Sequence, residues 1–145
     1  MQPEIHFRRN SELVPIPTYQ TPGAVGFDIA VSEVCEIPPH ETKIIATGLF
    51  IAVPKDMVLI LAARSSVSKK GLMLANGIGV IDQDYSGPTD EIKLAFHNLT
   101  EKTYTTAVGE RLAQGLFMPV IKASFVEKEI LATESRGGFG STGDK

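Results

Sequence analysis

The stretch EIKLAFHN, residues 91–98, constrains this chain more than any other part of it. Ile92, Leu94 and Phe96 alternate strictly with Lys93, Ala95 and His97, and a period of two places one set on a single face of an extended strand. LFIAV (49–53) and MVLILA (57–62) are instead apolar at every position, as strands buried on both faces are. Pro54, Lys55 and Asp56 separate them and suit a turn. LFMPVIKASFVE (116–127) reads as a further strand, bent or set at an edge by Pro119. The 13 Gly and 9 Pro are spread along the chain, so turn signals return about every ten residues. Helical periodicity is almost absent, and neither repeats nor an internal linker interrupt the pattern. It supports an all-β sandwich or barrel.

A chain of 145 residues fits one domain with a real core. With 43% hydrophobic and 21% charged residues it is globular in composition. The 14 Lys+Arg are outnumbered by 17 Asp+Glu, so no overall positive field draws the chain to nucleic acid, although local arginines can still hold a small anion. The single cysteine, Cys35, excludes an intrachain disulfide and a multi-cysteine zinc site, and is expected to act as a small buried hydrophobe. The opening MQPEIHFRRNSELVPIP has no apolar core of a secretory signal, and the longest apolar run, 57–63, is too short to cross a bilayer. A soluble cytoplasmic protein with no membrane partner is the expectation.

Several segments bring together groups that do chemistry. GVIDQDYSG (79–87) ends an apolar run with Asp82 and Asp84, which repel each other and have no lysine or arginine beside them. Such a stretch is also an ordinary way to end a strand and turn. In AARSSVSKKG (62–71), Arg64 offers a planar fork of donors, Ser65 and Ser66 offer short ones, and Lys69 and Lys70 add local charge. A phosphate clamp and a solvated connection explain that composition equally well. GERLAQGLF (109–117) turns into a strand carrying Arg111 and Gln114. GAVGFDIAV (23–31) sets Asp28 in an apolar run, where a carboxylate must cap a turn or face a cation or an arginine from elsewhere. NGIGVID places Asn76 three residues before Gly79, and its amide suits the edge of a pyrimidine as well as it suits a turn. The last stretch, SRGGFGSTGDK (135–145), has too little apolar surface to hold itself in place. A frayed tail is the commoner reading of such a glycine-rich stretch, yet its glycines let successive N–H groups converge on a phosphate beside Arg136, Ser141 and Thr142. The expected organisation is a β domain over 1–134 and a flexible glycine-rich arm over 135–145.

In this order, the segments GAVGFDI, ARSSVSKKG, NGIGVIDQDYSG, GERLAQGLF and RGGFGSTG resemble the five motifs of the trimeric dUTPase family. The resemblance implies a distorted jelly-roll β-barrel or sandwich, assembled as a homotrimer with shared active sites and a flexible C-terminal arm. It implies hydrolysis of dUTP to dUMP and pyrophosphate, with Mg2+ held by phosphates and waters and no direct protein ligand. Asp82 would be the base that activates water. Asn76 and the backbone of Gly79, Val80 and Ile81 would read the uracil, Tyr85 would exclude a 2′-hydroxyl, and Phe139 would stack on the base. Arg64, Ser65, Ser66, Gln114, Arg136, Ser141 and Thr142 would hold phosphates, with Asp28 and Arg111 as structural and charge support. Three details depart from the family pattern: Ser66 stands where a glycine is usual, Pro88–Thr89–Asp90 lengthens the turn, and Arg136 lies close to Phe139. Two rival readings follow. The related dCTP deaminases, including bifunctional forms, resemble this chain at Arg-Ser-Ser, but carry a catalytic glutamate where Ala95 stands. A non-catalytic nucleotide-binding module would keep the scaffold without the chemistry.

Overall fold

In a computed structural model, which describes residues 3–135 and 137–138, the regular structure is almost entirely β. The strands are β1 Phe7–Arg9, β2 Phe27–Ala30, β3 Glu36–Ile37, β4 Thr42–Ile51, β5 Met57–Ala63, β6 Leu72–Leu74, β7 Gly79–Ile81, β8 Ile92–Asn98, β9 Tyr104–Thr105 and β10 Arg111–Pro119. They form one four-stranded sheet in the order β1-β4-β8-β6, a second in the order β2-β10-β5-β7, and a two-stranded ribbon of β3 and β9. The pairings within these sheets are antiparallel.

The alternation in 91–98 does what a period of two requires. Ile92, Leu94 and Phe96 are buried, while Lys93 is exposed and Ala95 and His97 are half-buried. They meet Ile45, Leu49 and Ile51 of β4 and, from the second sheet, Phe27, Ile29, Leu59 and Leu61 in one core. Two bulges adjust the strands. In β10 the register shifts between Arg111 and Ala113, so Leu112 and Ala113 both turn inward. In β4 it shifts between Ala46 and Leu49. There Gly48, at φ 68°, gives its N–H to the Glu91 carboxylate at 2.6 Å, a conformation suited to a residue without Cβ.

Gly115 is a glycine that packing requires. It faces Phe27 across the β2–β10 pair, and an added Cβ would fall 2.9 Å from carbons of that ring. The ring has little room to yield, because it stacks on Phe117 at 5.7 Å and meets Tyr19 edge-on. Gly115→Ala is expected to cost about 1–3 kcal/mol through overpacking, read as a lower thermal midpoint. An unchanged midpoint would contradict this packing.

Two local expectations are corrected. The strand expected over 116–127 ends at Pro119. Proline cannot donate to the ladder, and Pro119 already faces Met57, the first residue of its partner strand. Beyond it Val120 bonds Asp56, and Ile121, Phe125 and Leu131 are 97%, 98% and 88% exposed. Cys35 is half-buried rather than buried, because it lies just outside the short β3–β9 ribbon, where Thr106 fixes its backbone N–H at 2.8 Å. Burial first, and the Glu33 carboxylate next, push its thiol up, which disfavours the thiolate nucleophile.

Candidate active site

Asp28 points outward from β2, and its carboxylate is only 13% exposed. Arg64 Nε lies 2.9 Å from one oxygen and Arg111 Nη1 2.8 Å from the other. The charge that an apolar run cannot leave unpaired is therefore met by two arginines from elsewhere in the chain. Arg64 Nη1 also donates to the Arg111 carbonyl at 3.4 Å, and Gln114 Nε2 donates to the Ala63 carbonyl at 3.2 Å. After Arg64 the chain enters a short 3-10 helix, Ser65–Lys70, closed by Gly71 in the left-handed conformation at φ 69°. Ser65 is exposed and Ser66 half-buried at its start. Arg64, Ser65, Ser66, Arg111, Gln114 and Asp28 thus gather at one end of the second sheet.

A second group forms around the turn between β6 and β7. These strands are not paired with each other: β6 lies on β8 in the first sheet and β7 on β5 in the second. The turn between them is an arch that crosses the sandwich. Alternation tells which side chains face the core, but does not say which sheet a strand joins. The crossing leaves a crevice of about 130 Å³ whose walls include Asn76, Gly79, Val80, Ile81, Lys93 and Ala95. Gly79 packs so closely on Leu61 that a Cβ there would come within 3.0 Å of it. Asn76 sits exposed at the tip, where Ile78 N–H bonds its carbonyl at 2.8 Å.

Asp82 follows β7 and is exposed. It lines a shallow groove of about 570 Å³ with Val58, Val80, Gln83, Asp84, Val120 and Lys122. Tyr85 N–H closes on the Asp82 carbonyl at 3.2 Å, and the Tyr85 hydroxyl donates to the Glu91 carbonyl at 2.9 Å. That bond orients the ring. The inserted Pro88–Thr89–Asp90 makes a closed turn: the Asp90 carboxylate accepts Gly87 N–H at 2.7 Å, and Arg8 Nη2 donates to the Pro88 carbonyl at 2.9 Å.

Sequence reasoning missed a third group. Lys70 Nζ donates to Glu110 Oε1 at 2.7 Å and meets the Tyr104 hydroxyl at 3.1 Å, while Tyr104 also bonds Glu110. Burial pushes the Glu110 carboxyl up, but bonds from Lys70, Tyr104 and Ala107 N–H outweigh it and hold the group below its ordinary value of 4.5. The bond to Glu110 raises the Lys70 ammonium above its usual range. A carboxyl with a depressed folded-state pKa adds stability that is present above its unfolded value and is lost as pH falls through the folded one. Acid titration of the thermal midpoint is expected to show this loss below pH 4.5. Glu110→Gln should remove that part of the pH dependence, and an identical acid limb in the variant would contradict it.

The dUTPase family model matches residues 12–143. The chain belongs to the dUTPase family. It is 36% identical to the deoxyuridine 5'-triphosphate nucleotidohydrolase of Legionella pneumophila, over 93% of this chain and 91% of that one. It superposes on the dUTPase of Streptococcus mutans with a TM-score of 0.76 at 35% identity, covering 82% of this chain and 98% of that one. The dUTPase of Staphylococcus bacteriophage 80alpha with dUPNHPP shares the fold, at a TM-score of 0.86 and 23% identity over 98% of this chain and 99% of that one. The all-β, jelly-roll-like architecture is that of dUTPases.

The dUTPase motif segments fall in separate places on the molecule. Those carrying Asp28, Arg64 and Arg111 meet at one end of β5, while Asp82 adjoins Val58 at the other. Val58 is six residues from Arg64, or roughly 20 Å along an extended strand. The crevice of Asn76 lies near the middle, beside Leu61. Arg136, Phe139, Ser141 and Thr142 lie outside the described residues.

Proposed function

We propose that this chain hydrolyses dUTP to dUMP and pyrophosphate, limiting uracil incorporation into DNA and supplying dUMP for thymidylate synthesis. The observation that carries this reading is the crevice between the sheets. It joins Asn76 to the backbone of residues 79–81, and Ala95 stands on its wall where a deaminase would need an acid. An amide and main-chain groups pair with a uracil edge, and a narrow pocket rejects an added 5-methyl group. Tyr85, held by its hydroxyl, packs against the deoxyribose and leaves no room for a 2′-hydroxyl.

The chemistry falls to Asp82. Its carboxylate takes a proton from water, the water oxygen attacks the α-phosphorus, and the bond to the bridging oxygen breaks, releasing pyrophosphate. Arg64, Ser65, Ser66 and Gln114 hold the phosphates, and Arg136, Ser141, Thr142 and Phe139 in the 135–145 arm close over the nucleotide. Among the described residues no three His, Cys, Asp or Glu side chains cluster to hold a metal. A magnesium ion held by substrate phosphates and waters needs no protein ligand. Bound to the phosphates, magnesium would neutralise their charge.

The working unit is a homotrimer. One protomer alone separates its phosphate-holding end from Asp82 by most of a strand, so a neighbour must supply the missing half. The outer face of the second sheet supports this reading: Leu116, Ile60 and Val80 stand in one row, and Met118 and Val58 in the next. Val80 and Met118 are at least half exposed, and with the exposed Phe125 and Leu131 they offer apolar surface for burial between copies. No helix among the described residues is long and apolar enough to cross a membrane, and the enzyme works in the cytoplasm.

Pyrophosphate release from dUTP, measured beside dCTP, dTTP and UTP, tests the assignment. Rapid release from dUTP alone is expected. Equal cleavage of UTP would sink it, ammonia from dCTP would mark a deaminase, and tight binding without turnover would mark a non-catalytic module.

A further inference from the structure

We infer that Glu110 and Lys70, bridged by Tyr104, are positioning residues that set the geometry of the phosphate-holding segments. This rests on the dUTPase reading and deepens it. The helix Ser65–Lys70 is too short to hold its own orientation. It is tied at both ends by an acid. Asp28 holds the front through Arg64, and Glu110 holds the rear through Lys70. The two acids are themselves connected, because Asp28 also binds Arg111, the residue after Glu110. A closed frame results, running from Arg64 along the helix to Lys70, across to Glu110 and Arg111, and back through Asp28.

Glu110 is well placed to be the fixed corner of that frame. One of its carboxylate oxygens accepts from Lys70 and Tyr104, and the other from Ala107 N–H at 3.1 Å. Its carbonyl accepts Val31 N–H at 2.9 Å, just past the strand that carries Asp28. Lys70 Nζ also lies 5.7 Å from the centre of the Tyr104 ring. The lysine charge is thereby spent inside the frame, which makes Lys70 a poor phosphate ligand and a good spacer. A small tilt of the helix would shift Arg64, Ser65 and Ser66 together against Gln114.

The test compares Lys70→Met, Tyr104→Phe and Lys70→Arg with the full-length wild type. Lys70→Met is expected to raise KM for dUTP about tenfold, leave kcat within about twofold, and raise the inhibition constant of inorganic tripolyphosphate by a similar factor. Tyr104→Phe should move the same constants less, and Lys70→Arg should restore most of the loss. The tripolyphosphate constant separates positioning from folding, since it reads the phosphate segments without the base. A lower thermal midpoint with unchanged KM and tripolyphosphate constant would overturn the inference and leave the cluster purely structural. If Lys70→Met fails to fold, Tyr104→Phe decides on the same two constants. If wild type does not cleave dUTP, the dUTPase reading fails by itself. Tripolyphosphate binding to wild type and Tyr104→Phe, measured by calorimetry, then decides the frame alone: weaker binding to the variant supports it and equal binding overturns it.

Discussion

Asp82→Asn is expected to lower kcat for dUTP by roughly 10³-fold, within the range that a positioned general base contributes. Affinity for a non-hydrolysable dUTP analogue should change less than about threefold, because the substitution removes a base and almost no volume. The local structure favours so clean a separation. The turn after β7 is closed through the Asp82 carbonyl, which accepts Tyr85 N–H, and not through its side chain. Among the described residues the Asp82 carboxylate enters no ion pair. The variant should therefore melt within about 0.5 kcal/mol of wild type, as exposed substitutions usually do. Stopped pyrophosphate release and analogue binding by calorimetry read the two quantities separately. Loss of analogue binding, or turnover within tenfold of wild type, would show that the carboxylate holds the nucleotide or is dispensable.

What the sequence made legible follows from the range of each interaction. The alternation in 91–98 is a local property, and it placed Ile92, Leu94 and Phe96 in the core correctly. Asp28 was legible as a charge in need of a partner, since its neighbours along the chain are apolar. Which arginines answered it was not, because Arg111 lies 83 residues away and β-pairing alone brings it near. The same reason hid the Glu110–Lys70 pair, separated by 40 residues. In the sequence Lys70 reads as free local charge beside Lys69. Facing Glu110, it is bound.

The misread elements have equally physical causes. Residues 116–127 carry a strand-like apolar pattern, but a strand needs a partner, and β5 begins at Met57, opposite Pro119. Past that point the apolar side chains are exposed within one protomer. The 75–78 stretch reads as a turn, but nothing local tells that its two flanks find their partners in different sheets. That crossing opens the Asn76 crevice, which local pattern could not disclose.

Mixing two inactive variants should restore activity. Arg64→Ala is expected to lose turnover by removing the proposed phosphate ligand and leaving Asp28 short of one of its two cations. Asp82→Asn loses it at the other end of the strand, roughly 20 Å away along β5. If each site took both residues from one protomer, every site in a mixed trimer would lack one of them, and mixing would recover nothing. If instead one protomer supplies Asp82 and its neighbour supplies Arg64, a site is intact whenever an Arg64→Ala chain lends its aspartate to an Asp82→Asn chain. Random exchange at equal amounts makes that so for about a quarter of the sites in a cyclic trimer. Unfolding and refolding the two variants together, followed by pyrophosphate release from dUTP, should therefore give about a quarter of wild-type turnover per site. The refolded single variants serve as blanks and should stay near zero. Their persistence near zero in the mixture, with solution mass confirming that the chains had exchanged, would place both residues in one protomer's site. The separation along β5 would then have to be closed by a rearrangement within the chain.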